Sequence, residues 1–160
     1  MDLVNAKKFI KQKQFGKALK IFLKLEKKIK DSSIYFYLGL LNFELNNYSK
    51  SIFYYEKFIR ENPGSIAPLI NLAIVKQTIG ELEESKKIYD KLIKSNKFDV
   101  RLYYGLYTLD PKNLNDKIFK NLNEIKVNKK LNLYEDGIVN FLLSKNEKKN
   151  KRYKDELEYL

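Results

Sequence analysis

Apolar side chains recur along this chain at intervals of three and four residues, the spacing that lines one face of a helix. Ala6, Phe9 and Ile10 begin such a stripe and predict a helix over 2–13. Ala18, Phe22, Leu25 and Ile29 carry the pattern through 17–30, with Lys17, Lys20, Lys24 and Lys28 on another face as its solvated back. Turn residues separate the stripes into pairs: Gln14-Phe15-Gly16, then Asn46-Asn47 between helices over 33–45 and 49–61, then Ile79-Gly80 before a helix over 81–95. Asn62-Pro63-Gly64 ends the second pair, because proline cannot continue a helix and glycine tolerates positive φ. Asp31-Ser32-Ser33 and Ser65 supply N-cap chemistry for the helices that follow them, and Pro68 is permitted in a first turn.

The pairs repeat. Moved along by thirty-four positions, residues 32–65 fall on 66–99: Tyr35 on Leu69, Leu38-Gly39 on Leu72-Ala73, Tyr48 on Leu82, Ser51 on Ser85 and Tyr55 on Tyr89. A shifted copy upstream places Ala6, Phe9, Phe15, Ala18, Phe22 and Leu25 in matching roles. A fixed period of this length is the signature of an array of helical hairpins, in which each unit buries its apolar face only against its neighbours.

On these residues the chain resembles the tetratricopeptide repeat family, whose unit follows W-x₂-L-G-x₂-Y…A-x₃-F…P. Tyr35 stands for the tryptophan, Leu38-Gly39 for Leu-Gly, Ser51 for the small residue, Tyr55 for the aromatic and Pro63 for the proline. Asn42 departs from the aromatic position, Phe58 from alanine and Lys97 from proline. The resemblance implies an all-α fold, a right-handed α-solenoid of antiparallel helical hairpins. We expect one domain over 1–160, with repeats near 2–31, 32–65 and 66–99.

Beyond residue 99 the identities fade. Asp99 caps a short helix over Val100–Leu109, and Asp110-Pro111 reads as an N-cap with proline at the first helical position, opening a helix to about Lys126. Leu131–Ser144 is amphipathic again, and 146–160 is polar, with Tyr153, Leu157 and Leu160 on one side. Two divergent hairpins, 100–127 and 131–160, are expected to continue the array. The run Leu102-Tyr103-Tyr104-Gly105-Leu106-Tyr107, the Asp110-Pro111 break and Tyr134-Glu135-Asp136-Gly137 resemble the repeat region that precedes the sulfotransferase domain of some bacterial fusion proteins. That likeness implies an arm of a larger enzyme. The phosphate-binding Pro-Arg-Ser-Gly motif of such domains does not occur here, so it implies no activity for this chain.

Composition narrows the chemistry. The sequence has no cysteine and no histidine, which removes thiol nucleophiles, imidazole bases and the usual zinc ligands. Glu81, Glu83 and Glu84 form a first-turn acid cluster that suits the helix dipole, and the six glycines form no phosphate-cradling loop. We expect no enzyme, no cofactor and no metal. The net charge of +12 comes from 29 Lys and 3 Arg, a bias that fits AT-rich bacterial codon usage. The excess sits at the ends: +7 over 1–31, +1 over 32–99 and +4 over 100–160. A nucleic-acid reading rests on those lysines and on the run from Lys148 to Lys154, but arginine is scarce and the aromatics are needed for the core. The longest apolar stretch, Ile34–Leu41, is too short to span a membrane, and a cytoplasmic location with no membrane partner is expected.

In the family, the first helix of each hairpin lines the inner, concave face. Position by position, the resemblance puts Leu3, Lys7 and Lys11, then Phe36, Leu40, Phe43 and Glu44, then Ile70, Ile74, Gln77 and Thr78 toward that groove, with Tyr37 and Asn71 beside them. The carboxylate-gripping clamp known in the family needs Lys, Asn and Arg where this chain has Phe36, Leu40, Ile70 and Ile74. Only Lys7 and Asn71 remain of it. The groove is therefore expected to be apolar and to take a protein or peptide partner: a helical or extended segment, the chain's own C-terminal continuation, or a second copy.

Overall fold

The computed structural model describes residues 2–149, and they are helical with short connections. The helices are α1 (Asp2–Lys11), α2 (Phe15–Glu26), α3 (Ser33–Glu44), α4 (Tyr48–Glu61), α5 (Ile66–Thr78), α6 (Leu82–Ser95), α7 (Val100–Leu109), α8 (Asp116–Asn128) and α9 (Leu133–Lys149), with a 3₁₀ turn at Pro111–Asn113. The starts of α2, α4, α6 and α8 follow one another at 33, 34 and 34 residues. Those of α3, α5, α7 and α9 follow at 33, 34 and 33. The repeat thus persists in the architecture after its residue identities have faded.

Contacts divide the chain into two compact units, Met1–Glu81 and Leu82–Leu160. In the first, successive helices α1 to α5 pack pairwise, and α3 also touches α5. Ala6, Ala18, Phe22, Leu25, Ile34, Leu38 and Leu41 form one buried cluster. α2 and α4 each bury a single face, whereas α3 and α5 carry apolar residues on nearly every side, as helices covered by two neighbours do. Close approach of α3 and α4 depends on Gly39: a Cβ there would stand 2.7 Å from ring carbons of Tyr55. Ser51, fully buried, donates its hydroxyl to the Gly39 carbonyl at 2.8 Å and fastens the same crossing. Asn42 at the family's aromatic position is buried, with its amide donating to the Leu38 carbonyl at 2.8 Å, so its polarity is satisfied within α3.

The hairpin turns of this unit share a left-handed residue. Lys13 has φ 55°, Asn46 φ 59° and Gly80 φ 87°, at successive spacings of 33 and 34 residues. One backbone conformation, which glycine and asparagine tolerate best, thus recurs at each of these turns.

In the second unit α6 packs on α7, and α9 packs on both α7 and α8. Its core contains Tyr89, Leu102, Tyr103, Leu106, Leu122, Ile125 and Leu142, each at most 1% exposed. Lys97, where the family has proline, offers its carbonyl to the Tyr103 hydroxyl at 2.7 Å, and this bond holds the connection between α6 and α7. Gly105 lets Tyr89 lie against α7, since a Cβ would collide with the Tyr89 ring.

Several boundaries differ from expectation. Asp110 does cap Pro111, accepting from the Lys112 backbone at 2.8 Å, but only a 3₁₀ turn follows. Leu114 then turns inward to 4% exposure, and α8 begins at Asp116 with Asn115 as its cap, accepting from the Ile118 N–H at 3.1 Å. Asp99 caps α7 as expected, through the Arg101 N–H at 3.1 Å. Ser65 precedes α5 in extended conformation, yet its hydroxyl makes no capping bond. The cap of α3 comes from Asp31, which accepts from the Ser33 N–H at 2.8 Å. α9 runs unbroken from Leu133 to Lys149, past Ser144, where the amphipathic stretch was expected to end. The expected apolar side of Tyr153, Leu157 and Leu160, and most of the Lys148–Lys154 run, lie outside the described residues.

Candidate interaction site

The residues assigned to the groove sit on α1, α3 and α5 of the first unit. Phe36 meets Tyr37, Tyr55 and Phe58 edge-on, with ring centroids 5.8, 6.1 and 5.9 Å away. Tyr37 stacks on Phe22 at 4.8 Å, and the Lys7 ammonium lies 5.3 Å from the Tyr37 ring centroid. Asn71 donates its side-chain amide to the Tyr55 hydroxyl at 3.2 Å. Burial pushes the Tyr55 phenol well above its usual range; the Asn71 bond acts in the opposite direction and Glu44 adds to the rise. Ile70 is buried at 8% exposure and belongs more to the core than to an open face.

Leu40 and Phe43 are half-buried, with Phe43 against Tyr48 at 5.9 Å between centroids. Ile74 is 38% exposed. Gln77 is half-buried, whereas Lys7, Lys11, Glu44 and Thr78 are exposed. The Thr78 hydroxyl donates to the Ile74 carbonyl at 2.8 Å. Phe36, Tyr37 and Asn71 are thus engaged with the core, and Leu40, Ile74 and part of Phe43 remain as apolar surface on adjacent helices.

The second unit holds an aromatic group that the sequence reading did not place in a site. Tyr107 meets Phe141 edge-on at 5.3 Å, Tyr104 lies 6.3 Å from Tyr107 and 6.4 Å from Phe141, and the Lys145 ammonium stands 4.5 Å from the Phe141 centroid. The signal was available in spacing: Tyr107 and Phe141 are thirty-four residues apart, at the repeat position that Gly39 and Ala73 occupy. Beside this group, Tyr107, Pro111, Lys112, Leu114, Phe119 and Lys145 enclose a slot of about 420 Å³.

A larger, open cavity of about 750 Å³ is lined by Lys94, Lys97, Arg101 and Lys129 together with Asp99 and Glu135. Most of its charge is already matched. Arg101 forks onto Asp99 at 2.8 and 2.5 Å, Lys129 meets Glu135 at 2.8 Å, and Lys97 meets Glu124 at 3.1 Å. Burial pushes the Asp99 carboxyl up, but the hydrogen bonds and charge of Arg101 outweigh it and hold the group below its usual range. Among the described residues no cluster of three or more acidic side chains could hold a metal ion. No helix among them is long and apolar enough to cross a membrane.

Comparison with known proteins places these surfaces on a recognised scaffold. The family model described as tetratricopeptide repeat matches residues 32–65. The protein named "Uncharacterized protein ycf37" of Pyropia yezoensis is 29% identical over 101 residues, covering 57% of this chain and 57% of that protein. The match therefore spans little more than half of that relative's length. Among solved structures, MamA 41-end from Desulfovibrio magneticus RS-1 superposes with a TM-score of 0.67 at 13% identity, over 99% of this chain and 88% of the other. MamA AMB-1 gives a TM-score of 0.63 at 11% identity, over 97% and 84%. The sequence match falls on the hairpin in which Gly39, Ser51 and Tyr55 make their close crossing, and the likeness of fold extends over almost all of the chain. Residues 32–65 thus match the tetratricopeptide repeat, and the chain as a whole shares its all-helical fold with the MamA structures.

Proposed function

We propose that the chain is a non-catalytic protein-interaction module, and that the α1–α3–α5 face of its first unit takes the apolar side of a helix or an extended apolar segment. The observation that carries this reading is the pair Leu40 and Ile74, partly open to solvent on helices that touch each other. Covering apolar surface is worth about 25 cal/mol per Å². A few such side chains therefore supply a useful share of a binding energy, provided the surface is pre-formed. Phe36, Tyr37 and Asn71 contribute by rigidity, since their partners in the core fix the wall against which a ligand would rest. Lys7 and Lys11 on α1, with Glu44 on α3, supply the polar rim.

The same geometry argues against the carboxylate clamp. Lys7 is placed over a tyrosine ring, and the Asn71 amide is committed to Tyr55. It also argues against phosphate binding in the large basic cavity, where Lys97, Arg101 and Lys129 are each matched by a carboxylate.

The double substitution Leu40→Glu with Ile74→Glu tests the proposal. It should weaken self-association or capture of a protein partner by at least about tenfold, because each carboxylate would be buried unpaired. Helicity by circular dichroism should be unchanged, as neither side chain is fully buried. Undiminished association of a folded double variant would dispose of the apolar-groove reading.

A further inference from the structure

The slot in the second unit has a complement elsewhere on the same chain. Its floor is apolar, with Leu114 and Phe119 each 4% exposed. Its walls are Tyr107 and Pro111, and its rim carries Lys112 and Lys145. Among the described residues neither ammonium is in an ion pair. A ligand that suits this slot presents one bulky apolar side chain with carboxylates on either side.

Such a segment begins α6. Leu82 is 48% exposed and stands between Glu81 and Glu83, with Glu84 following, and all three glutamates are exposed. Of the exposed large apolar side chains among the described residues, Leu82 is the one with a carboxylate on both sides; most of the others adjoin lysine or apolar residues. Glu81 pairs with Lys76 at 2.6 Å and Glu84 with Lys87 at 2.7 Å, whereas Glu83 is in no ion pair among the described residues. The Glu81 and Glu84 side chains both stay about half open to solvent, at 46% and 53%, so these pairs are worth little and leave the carboxylates accessible to a further cation. The slot of about 420 Å³ is ample for a leucine side chain.

We propose that the Glu81–Glu84 segment of one copy docks on a second copy, with Leu82 in the slot and the glutamates facing Lys112 and Lys145. The contact joins two different surfaces, so it closes as a reciprocal dimer or extends head to tail. It uses none of the residues of the Leu40–Ile74 face. The Leu40→Glu/Ile74→Glu variant should leave it intact, and either proposal can fail without the other.

The test is sedimentation velocity of the full chain at low and high salt, with two surface variants. Lys112→Glu/Lys145→Glu reverses the rim and keeps the segment; Leu82→Ser/Glu83→Lys removes the segment and keeps the slot. Each alone should associate at least about tenfold more weakly than the parent. An equimolar mixture should recover association as a one-to-one species, because one variant supplies the slot and the other the segment. Circular dichroism of each variant shows that it is folded. A parent chain that stays monomeric, variants that associate like the parent, or folded variants that fail to pair in the mixture would each overturn the proposal. So would a monomeric parent whose slot binds only an unrelated acidic peptide.

Discussion

The two units use the same device, a glycine that admits a tyrosine ring, but they take the tyrosine from opposite directions. In the first unit Gly39 of α3 receives Tyr55 from α4, the helix that follows it. In the second, Gly105 of α7 receives Tyr89 from α6, the helix that precedes it. Gly105 is also two residues short of the repeat position that Gly39 and Ala73 hold; Tyr107 occupies that position, and Phe141 one period later. The consequence is a change of surface. Where the first unit spends this position on close helix packing, the second fills it with aromatic rings beside a slot. Repeat geometry survives in the helix starts while the role of each position is reassigned.

Double-mutant cycles break or sharpen that contrast most strongly. Gly39→Ala and Gly105→Ala should each destabilise by about 2–3 kcal/mol in denaturant titrations, because an added methyl meets a fully buried ring. The helix propensity gained from alanine, about 1 kcal/mol, offsets only part of this. Replacing the ring with a smaller side chain should restore part of the loss in a partner-specific way. Tyr55→Leu should relieve Gly39→Ala and not Gly105→Ala, and Tyr89→Leu the reverse. If the rescues are interchangeable, the opposite pairing of the two glycines is wrong.

That reassignment also marks how far the sequence could be read. Gly39, Ser51 and Tyr55 were legible because three positions of one hairpin obey the repeat together, and each proves buried where the period puts it. Gly105, Tyr107 and Phe141 were not, because their meaning depends on a two-residue shift that only packing reveals. Pro111 shows the same limit on a local scale. Its N-cap signal is real, but burying Leu114 requires the chain to leave the helix after one turn, and a local preference yields to that burial. The sequence alone marked Phe36, Leu40, Ile70 and Ile74 as apolar. It did not indicate that the Asn71 amide is committed to a buried phenol.

The tyrosines admitted by the glycines give the comparison a pH signature. Burial pushes the Tyr89 phenol up to about 12, from 10.0. A group whose folded pKa is raised binds its proton more tightly in the folded state, so its contribution is fully present below pH 10 and is lost as pH rises from there through about 12. The loss is on the order of 3 kcal/mol, at about 1.4 kcal/mol per pKa unit. Tyr89→Phe keeps the ring and removes the titration, and should delay alkaline unfolding followed by circular dichroism. Tyr55→Phe should delay it too, but at a cost at neutral pH, since it forfeits the bond from Asn71. An alkaline midpoint that ignores Tyr89→Phe would mean the phenol is open to water before the unit unfolds.

The smallest contrast lies at the helix starts. α5 of the first unit opens at Ser65, which has the residue type and the extended backbone of a cap but no capping bond. α7 of the second opens at Asp99, which caps the Arg101 N–H and also grips the Arg101 guanidinium. Ser65→Ala should therefore change stability by less than about 0.5 kcal/mol, within the range of ordinary surface substitutions. Asp99→Ala should cost about 1 kcal/mol, the typical value of a lost cap, with a modest addition from the partly exposed ion pair. The Asp99 carboxyl is held below its usual range by Arg101, so its contribution is present above the unfolded pKa and disappears as pH falls through the lowered one. Thermal unfolding at neutral pH and in acid separates the two effects. The gap between Ser65→Ala and Asp99→Ala should narrow in acid, where a protonated Asp99 grips Arg101 no longer and caps only weakly.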